Sequence, residues 1–505
     1  MTFKRWLFLI ALAGLVVRLV AWQYFRAHTL ALVTCRLPDD ALYYFAMARN
    51  LANGSGISVD GVHASNGMHP LWLFTIAPIF LLPLSKWGAI HAVLLLQSVF
   101  DAVMIGLIGS TVYRLLADTK ESNRFSAAVF SAVIYAFSSV ALFRGINGLE
   151  TTLAALLFVV WLRVVLWTVG RQQGRNRRWP MLGIVTGLLL LARTDSFIVL
   201  LPAAVYLFFR FRSEWKEMLL ALIIAMAIVA PWLIWNEMTF GTIVQSSAEA
   251  VPMLAMRKYD VIYGNTKYFH LLIDAAHNAL KPFWLTGFGL PLLTILFSVL
   301  RKRKHLSFAE KAVYLLVASG VLLLIVHTLF RGFIREWYVV ELLPLFFIAF
   351  GLSIGANAGT TEARKSGRWI LAGILILLQS FLYSSPQYTS QRAVLLQGVP
   401  EVNARTVTAK LATFNSGYDG YFSDQPANVV NIDGVVNEAA LRALKSGTLH
   451  QYFASDSISY ILDFKGDFGG YINLFDRHLL DGFVRDTSFG NANPSNDDLI
   501  LYRRK

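Results

Sequence analysis

Cysteine is almost missing: Cys35 stands alone among 505 residues. One thiol cannot close an intrachain disulfide or build a cysteine-based metal site. Charge is also scarce. Only 15% of residues are charged, against about 25% in soluble globular proteins. No internal repeat or low-complexity segment stands out, so the inverted-repeat signature of transporters is missing. Hydrophobic residues, by contrast, reach 56%, and mean hydropathy is +0.53. The excess lies in long runs, and apolar stretches of about 18 or more residues read as membrane spans. A soluble enzyme, a disordered chain and a fibrous repeat are therefore excluded. The net charge of +14 then belongs mostly to cytoplasmic loops and not to nucleic-acid binding.

The N-terminus, Met1-Thr2-Phe3-Lys4-Arg5 and a long apolar run, resembles a signal peptide. The run is too long for an h-region and lacks a clean cleavage site, so residues 6–27 are expected to remain as a first span. Further spans are expected at 88–113, 125–143, 150–169, 180–194, 196–210, 218–236, 283–300, 311–330, 337–356 and 369–384, eleven in all. The basic clusters at 4–5, 114–124, 171–178, 210–216, 301–304 and 364–368 all fall inside if the N-terminus is cytoplasmic. That fit requires residues 71–84, with two prolines, to lie at the outer interface as a short helix. It also requires 180–210 to go out and return, with a turn at Arg193-Thr194-Asp195; one long span through 180–210 is the alternative. The outer side then carries a first loop (28–87), a short loop (144–149), a long, lid-like loop (237–282) and a tail. The fold class expected is mainly α: a polytopic helical module over 1–385 and a small extracytoplasmic α/β domain over 386–505. In the tail, 429–434 reads as strand and turn, 438–446 as helix and 458–463 as strand.

Charged residues on the outer side are the exception to the composition. Asp39 and Asp40 follow the first span in Pro38-Asp39-Asp40-Ala41-Leu42-Tyr43-Tyr44. Either can cap the helix that follows. As a pair facing a membrane surface, one can also take a proton from a hydroxyl nucleophile while the other orients it or binds a cation. In Asn66-Gly67-Met68-His69-Pro70-Leu71-Trp72, His69 and Asn66 sit at the start of the interfacial helix, where His69 can donate to a phosphate or bond to backbone. Arg144 and Glu150 flank the short loop, and boundary charges are usually paired or functional. Arg193 and Asp195 share one turn and can pair with each other. Arg331 and Arg335, four apart at a helical start, can point the same way and offer planar donor forks to phosphate oxygens. Trp337 and Tyr338 read as aromatic-belt anchors. The long loop's Arg257, Lys258 and Lys267 read mainly as solvated.

Outward carboxylates, outward arginines and an interfacial helix at one membrane face suit glycosyl transfer from a lipid phosphate. A base removes the acceptor proton, the anomeric carbon passes through an oxocarbenium-like state, and fixed Arg or His donors meet the charge on the leaving phosphate. Nucleotides are not available outside the cytoplasm, so a lipid-linked donor fits.

On these residues the chain resembles the GT-C superfamily of membrane glycosyltransferases, which use polyprenyl-phosphate sugars and include protein O-mannosyltransferases, the lipid A aminoarabinose transferase and mycobacterial arabinofuranosyltransferases. The resemblance covers about 1–385. It rests on Pro38–Tyr44, Asn66–Trp72, Gly148-Leu149-Glu150-Thr151 and Leu191-Ala192-Arg193-Thr194-Asp195. It implies Asp39 or Asp40 as catalytic base, Glu150 as a helper toward acceptor or metal, and inversion at the anomeric carbon. Read from the residues themselves, the expected donor-phosphate clamp is His69, Arg331, Arg335 and Arg144, with Asn66, Tyr44, Arg193 and Asp195 toward substrate. The family more often has Pro where Thr194 stands. Residues 430–437 look like outer domains appended to bacterial members of unknown acceptor. The expected partners are a polyprenyl-phosphate sugar, a glycan, lipid or protein acceptor and the bilayer, with no nucleic acid. No cofactor is firmly implied; a divalent cation, if any, belongs at Asp39 and Asp40. The setting implied is a bacterial inner membrane with the site on the periplasmic face. The rival classes are a lipid or polysaccharide transporter and a non-enzymatic envelope assembly factor; within the enzyme reading, an oligosaccharyltransferase with a pyrophosphate donor is the variant.

Overall fold

The first apolar run forms one helix, α1 (Phe3–Ala27), of 25 residues. At 1.5 Å per residue it is about 37 Å long, enough for the roughly 30 Å hydrocarbon core of a bilayer. The computed structural model describes residues 2–170, 175–285, 306–332, 334–356, 390–489 and 498–505, with scattered positions between 295 and 300 and between 367 and 378. The stretch 28–87, expected as the first outer loop, holds α2 (Thr29–Cys35), α3 (Asp39–Ala52) and α4 (Pro70–Ile76), the last continued by a 3-10 turn at Ala77–Leu81. Pro78 lacks the N–H a longer α-helix would use, which keeps this element too short to span. Then come α5 (Lys86–Leu115), α6 (Glu121–Ala136), α7 (Thr151–Gly170), α8 (Arg175–Ala192), α9 (Phe197–Arg210) and α10 (Trp215–Phe240). The chain does break at the expected turn: Arg193 is extended, and a 3-10 turn, Thr194–Ser196, separates α8 from α9.

Among the described residues, four helical segments are long and apolar enough to cross a membrane: Phe3–Ala27, Lys86–Leu115, Arg212–Phe240 and Phe308–Arg331. Shorter apolar helices accompany them at Thr151–Trp167, Arg178–Ala192 and Leu343–Gly355. The spans expected at 283–300 and 369–384 lie largely outside the described residues. Along α10, Leu219, Leu220, Leu222, Ile223, Met226, Ile234 and Met238 are exposed. Such a face is a liability in water but an ordinary surface in lipid. Charge inside the bundle is neutralised in place. Arg18 of α1 pairs with Asp101 of α5 and donates to the carbonyls of Gly14 and Ala136, each at 2.9 Å, while Tyr135 of α6 donates to Asp101 at 2.5 Å. A buried pair of this kind is tolerated only when fully hydrogen-bonded, and it fixes α1, α5 and α6 together.

The long outer loop is not a loop. Gly241, at φ +72°, ends α10, and two helices follow, α11 (Ser246–Tyr263) and α12 (Lys267–Leu285). Sequence reading stressed the glycines and charges of this stretch and missed its helical periodicity, Phe269, Leu272, Ile273 and Leu280 lying exposed on α12. α13 (Phe308–Arg331) opens on a Ser307–Glu310 capping box, and α14 (Glu336–Val340) and α15 (Leu343–Ala356) complete the module.

Residues 390–505 build α16 (Ser390–Thr406), β1 (Lys410–Thr413), α17 (Ser416–Phe422), β2 (Val429–Asn431), α18 (Glu438–Ser446), α19 (Leu449–Ser455), β3 (Ile458–Phe464), α20 (Lys465–Leu474), β4 (Phe483–Phe489) and β5 (Leu499–Arg504). The sheet order is β2-β1-β3-β5-β4. β1 runs parallel to β2 and β3, while β5 is antiparallel to β3 and β4. Val430, Ile432, Leu444, Phe453 and Ile461 fill its own core. On its other side Tyr418, Tyr421 and Phe422 join Phe45, Trp72 and Val93 in one core with the membrane-proximal helices, so the sheet unit is seated on the first outer loop.

Candidate active site

Pro38 precedes α3 in an extended conformation, with φ −70° and ψ 156°. It delivers two consecutive carboxylates to the helix start, and they meet different environments. Asp39 is committed: its Oδ2 accepts from the Gly417 N–H at 3.0 Å and its Oδ1 from the Tyr418 N–H at 2.9 Å. Burial pushes its carboxyl up to about 6 in spite of those bonds, and the neighbouring Asp40 adds to the rise. The contact leaves no room for a side chain at Gly417, where a Cβ would stand 2.3 Å from the Asp39 carbonyl oxygen. Asp40 instead is exposed on the wall of a cavity of about 820 Å³. The surrounding walls raise its carboxyl above the ordinary range, and the positive charge of Arg335 opposes that rise most strongly.

The same cavity is lined by Tyr44, His69, Glu150, Arg193, Arg331 and Arg335, together with Lys258 and Tyr338. Arg331 ends α13, and Gly332, at φ +68°, breaks the helix behind it. Arg335 then stands just before α14. The two arginines thus do not share a helical face as their spacing of four suggested, since the helix ends at Arg331, yet both line the cavity. Arg331 donates to the Tyr338 hydroxyl at 2.9 Å. His69 is pushed down, chiefly by burial. Its Nδ1 accepts from the Thr194 N–H at 3.4 Å, which assigns the proton of a neutral ring to Nε2, 3.9 Å from Glu150.

Behind this wall Arg193 is only 1% exposed. It donates to Glu150 at 3.0 Å and to Asp195 at 3.0 and 2.5 Å, and it lies 3.4 Å from Glu341. His327 bonds Asp195 at 2.8 Å. Tyr338 covers the assembly, 4.7 Å from the Arg193 guanidinium and stacked on His327 at 5.1 Å. Arg193 therefore acts first as the shared cation of Glu150 and Asp195, with Glu341 close beside it, a role bidentate donors fill well.

Three expected residues stand off the cavity wall. Asn66 is buried and ties the loop to the start of α11, accepting from the Ser246 N–H at 3.0 Å and donating to the Val244 carbonyl at 3.2 Å. Arg144 donates to the Cys35 carbonyl at 3.4 Å. Asp195 is held by Arg193 and His327 as described. As for a cation, each Asp39 oxygen accepts one backbone N–H, and among the described residues no group of three or more His, Cys, Asp or Glu is arranged to hold a metal. Calcium and magnesium need six or more oxygens, so the Asp39–Asp40 pair fits one poorly.

Residues 69–235 match the family model described as dolichyl-phosphate-mannose-protein mannosyltransferase. Among curated proteins none matches. Solved structures do. ArnT from Cupriavidus metallidurans bound to undecaprenyl phosphate aligns with a TM-score of 0.57 at 12% identity, over 97% of each chain. The oligosaccharyltransferase of Archaeoglobus fulgidus, tethered to an acceptor peptide, aligns at 0.55 and 11% identity over 98% of this chain and 74% of that one. Its complex with an inhibitory peptide and dolichol phosphate aligns at 0.52 and 12% identity over the same shares. This chain has the GT-C fold.

Within that GT-C framework, several cavity residues escaped sequence reading. Tyr338 and Trp337, taken as belt anchors, line the cavity. Lys258, taken as solvated, lines it too. Off the cavity wall, His327 inside α13 and Glu341 in the turn between α14 and α15 also escaped it, and there the cost of a buried charge was the available signal. Asn415, Asp433, Asp467 and Tyr471 come from the C-terminal sheet unit; only Asp433 lay in a quoted motif, and it had been read as a turn residue.

Proposed function

We propose that this chain is a glycosyltransferase. It moves a monosaccharide, hexose or pentose, from a polyprenyl-phosphate donor to an acceptor hydroxyl on the extracytoplasmic face of a bacterial inner membrane, with inversion. The observation that carries the reading is that Asp40, the cations Arg331, Arg335 and Lys258, and the neutral donor His69 line one cavity.

Asp40 takes the proton of the acceptor hydroxyl. The acceptor oxygen bonds to the anomeric carbon from the face opposite the phosphate, and the bond from that carbon to the phosphate oxygen breaks with its electron pair. Arg331 and Arg335 meet the charge on the departing phosphate monoester, with the Nε2–H of His69 as a neutral donor. Arg193 and Glu150 hold the wall on which His69 and Tyr44 rest, since the Tyr44 hydroxyl accepts from the His69 backbone N–H at 2.9 Å. Asp39, which also lines the cavity, positions Asp40 through its bonds to the start of α17. The likeness to ArnT bound to undecaprenyl phosphate supports a lipid-phosphate donor.

The test uses purified protein, a panel of undecaprenyl-phosphate sugars and envelope extract as acceptor source. Free undecaprenyl phosphate should be released from at least one donor in an acceptor-dependent manner, and Asp40→Asn should abolish release while still binding undecaprenyl phosphate. No release from any donor, or full release by Asp40→Asn, defeats the proposal.

A further inference from the structure

The far wall of the cavity belongs to the C-terminal sheet unit, and its residues occupy equivalent places. Asn415 follows the carboxyl end of β1, Asp433 that of β2 and Asp467 that of β3. These are the three mutually parallel strands, in the order β2-β1-β3. The connection from β1 leads to one side of it and the connection from β2 crosses to the other, so the strand order reverses at β1. In open α/β sheets, ligands bind in the crevice outside the carboxyl ends of the strands at such a switch point. Here that crevice opens into the cavity that holds Asp40.

The chemistry at this edge is specific. Asn415 donates to Asp463 and to Asp467, each at 2.9 Å. Asp433 accepts from the Val435 N–H at 2.8 Å, which engages part of the roughly four acceptor positions of a carboxyl group. Tyr471 lines the cavity with one ring face stacked on Phe414, the centroids 3.7 Å apart. The lining residues from this unit are Asn415, Asp433, Val435, Asp467 and Tyr471, none of them cationic. Carboxyl and amide groups around an aromatic ring suit a sugar, whose hydroxyls need partners and whose C–H face is apolar. A phosphate or carboxylate ligand would find no cation among these residues. Asp433 is held well above the usual carboxylate range by burial, with Asp39 and Asp40 adding to the rise, which favours a neutral ligand over an ammonium group.

We infer that the carboxyl edge of β1, β2 and β3 is the acceptor subsite and that it takes a neutral sugar residue, so that the acceptor is a glycan hydroxyl. The inference rests on the glycosyltransferase reading above. The full-length protein, in a detergent without a sugar headgroup, would be titrated with methyl glucoside, methyl mannoside and methyl galactoside, with methyl glucuronide and lysine amide as controls. Undecaprenyl phosphate binding is measured on the same samples. At least one neutral glycoside should bind, and more tightly than either control. Tyr471→Ala and Asp433→Ala should each weaken it about tenfold, as loss of one good contact does, with undecaprenyl phosphate affinity unchanged. If Tyr471→Ala does not fold, Asp433→Ala alone decides. Undecaprenyl phosphate binding without any neutral glycoside, tighter binding of lysine amide or glucuronide, or unchanged glycoside affinity in the folded variants overturns the subsite and leaves the donor reading standing. Failure to bind undecaprenyl phosphate overturns the reading beneath it.

Discussion

Gly417→Ala is the smallest change that separates the two aspartates. A Cβ there would lie 2.3 Å from the Asp39 carbonyl oxygen and 2.6 Å from its Oδ1, whereas real Cβ atoms stay beyond 3.0 Å. The nearest contact is with backbone, so α3 and α17 must part by at least about 0.7 Å, and Asp40, the next residue, moves with the start of α3. A misplacement of about 1 Å costs on the order of 100-fold in rate when a catalytic group must meet a defined geometry. The expected result is a roughly 10- to 100-fold fall in the turnover of undecaprenyl-phosphate sugar, with undecaprenyl phosphate affinity unchanged because the cationic wall is not disturbed. Gly420→Ala, three residues on in the same helix, is the control: its Cβ would meet only Val59 Cγ1, at 3.7 Å, and turnover should stay at the parental level. Parental turnover by Gly417→Ala would refute the claim that Asp39 positions Asp40. An equal loss in both variants would show that α17 matters only for folding.

Other expectations follow from the same geometry. Arg193→Met leaves Glu150, Asp195 and Glu341 without their shared cation, and breaking a buried pair costs about 3–5 kcal/mol; the melting temperature of the purified protein should fall clearly, and an unchanged value would show the network to be dispensable. Tyr338→Phe removes the hydroxyl that accepts from Arg331 at 2.9 Å, a loss of about 1 kcal/mol, so undecaprenyl phosphate should bind roughly fivefold more weakly. Arg335→Ala removes the positive charge that most favours ionised Asp40. The Asp40 carboxyl then rises further, and because a base must be ionised to work, the acid limb of the pH–rate profile should move to higher pH. A limb that stays in place or moves down would dissociate Arg335 from the base. Gly67→Ala would put a Cβ 1.9 Å from the Val435 carbonyl oxygen and should loosen the C-terminal unit from the first loop, read as faster limited proteolysis within residues 390–410.

Much of this was legible because it is local. Long apolar runs, the Asp39-Asp40 pair at the start of α3, the break at Arg193 and the proline-limited helix after His69 each depend on a few consecutive residues. Spacing was a poorer guide where one glycine intervened: Arg331 and Arg335 look like neighbours on one helix, but the left-handed Gly332 ends that helix between them, and both still line the cavity. Tyr338 has the composition of a membrane-interface anchor, and only its packing on Arg193 and His327 reveals another role. The contribution of Asn415, Asp433 and Asp467 could not be read at all. Each follows a strand whose parallel partner lies tens of residues away, and nothing in the intervening sequence states that those three strand ends meet. The bonds from Gly417 and Tyr418 to Asp39 span more than 370 positions, so the difference between the two aspartates is purely tertiary.

The central claim is that the base and the phosphate clamp share one cavity, and a density map of the protein with undecaprenyl phosphate bound tests it most directly. The account predicts the phosphate inside the cavity, within hydrogen-bonding reach of Arg331 or Arg335, with the Asp40 carboxylate facing it across a gap that a single sugar ring fills. A phosphate seated at the opposite leaflet, or on these arginines but screened from Asp40 by protein, would contradict it.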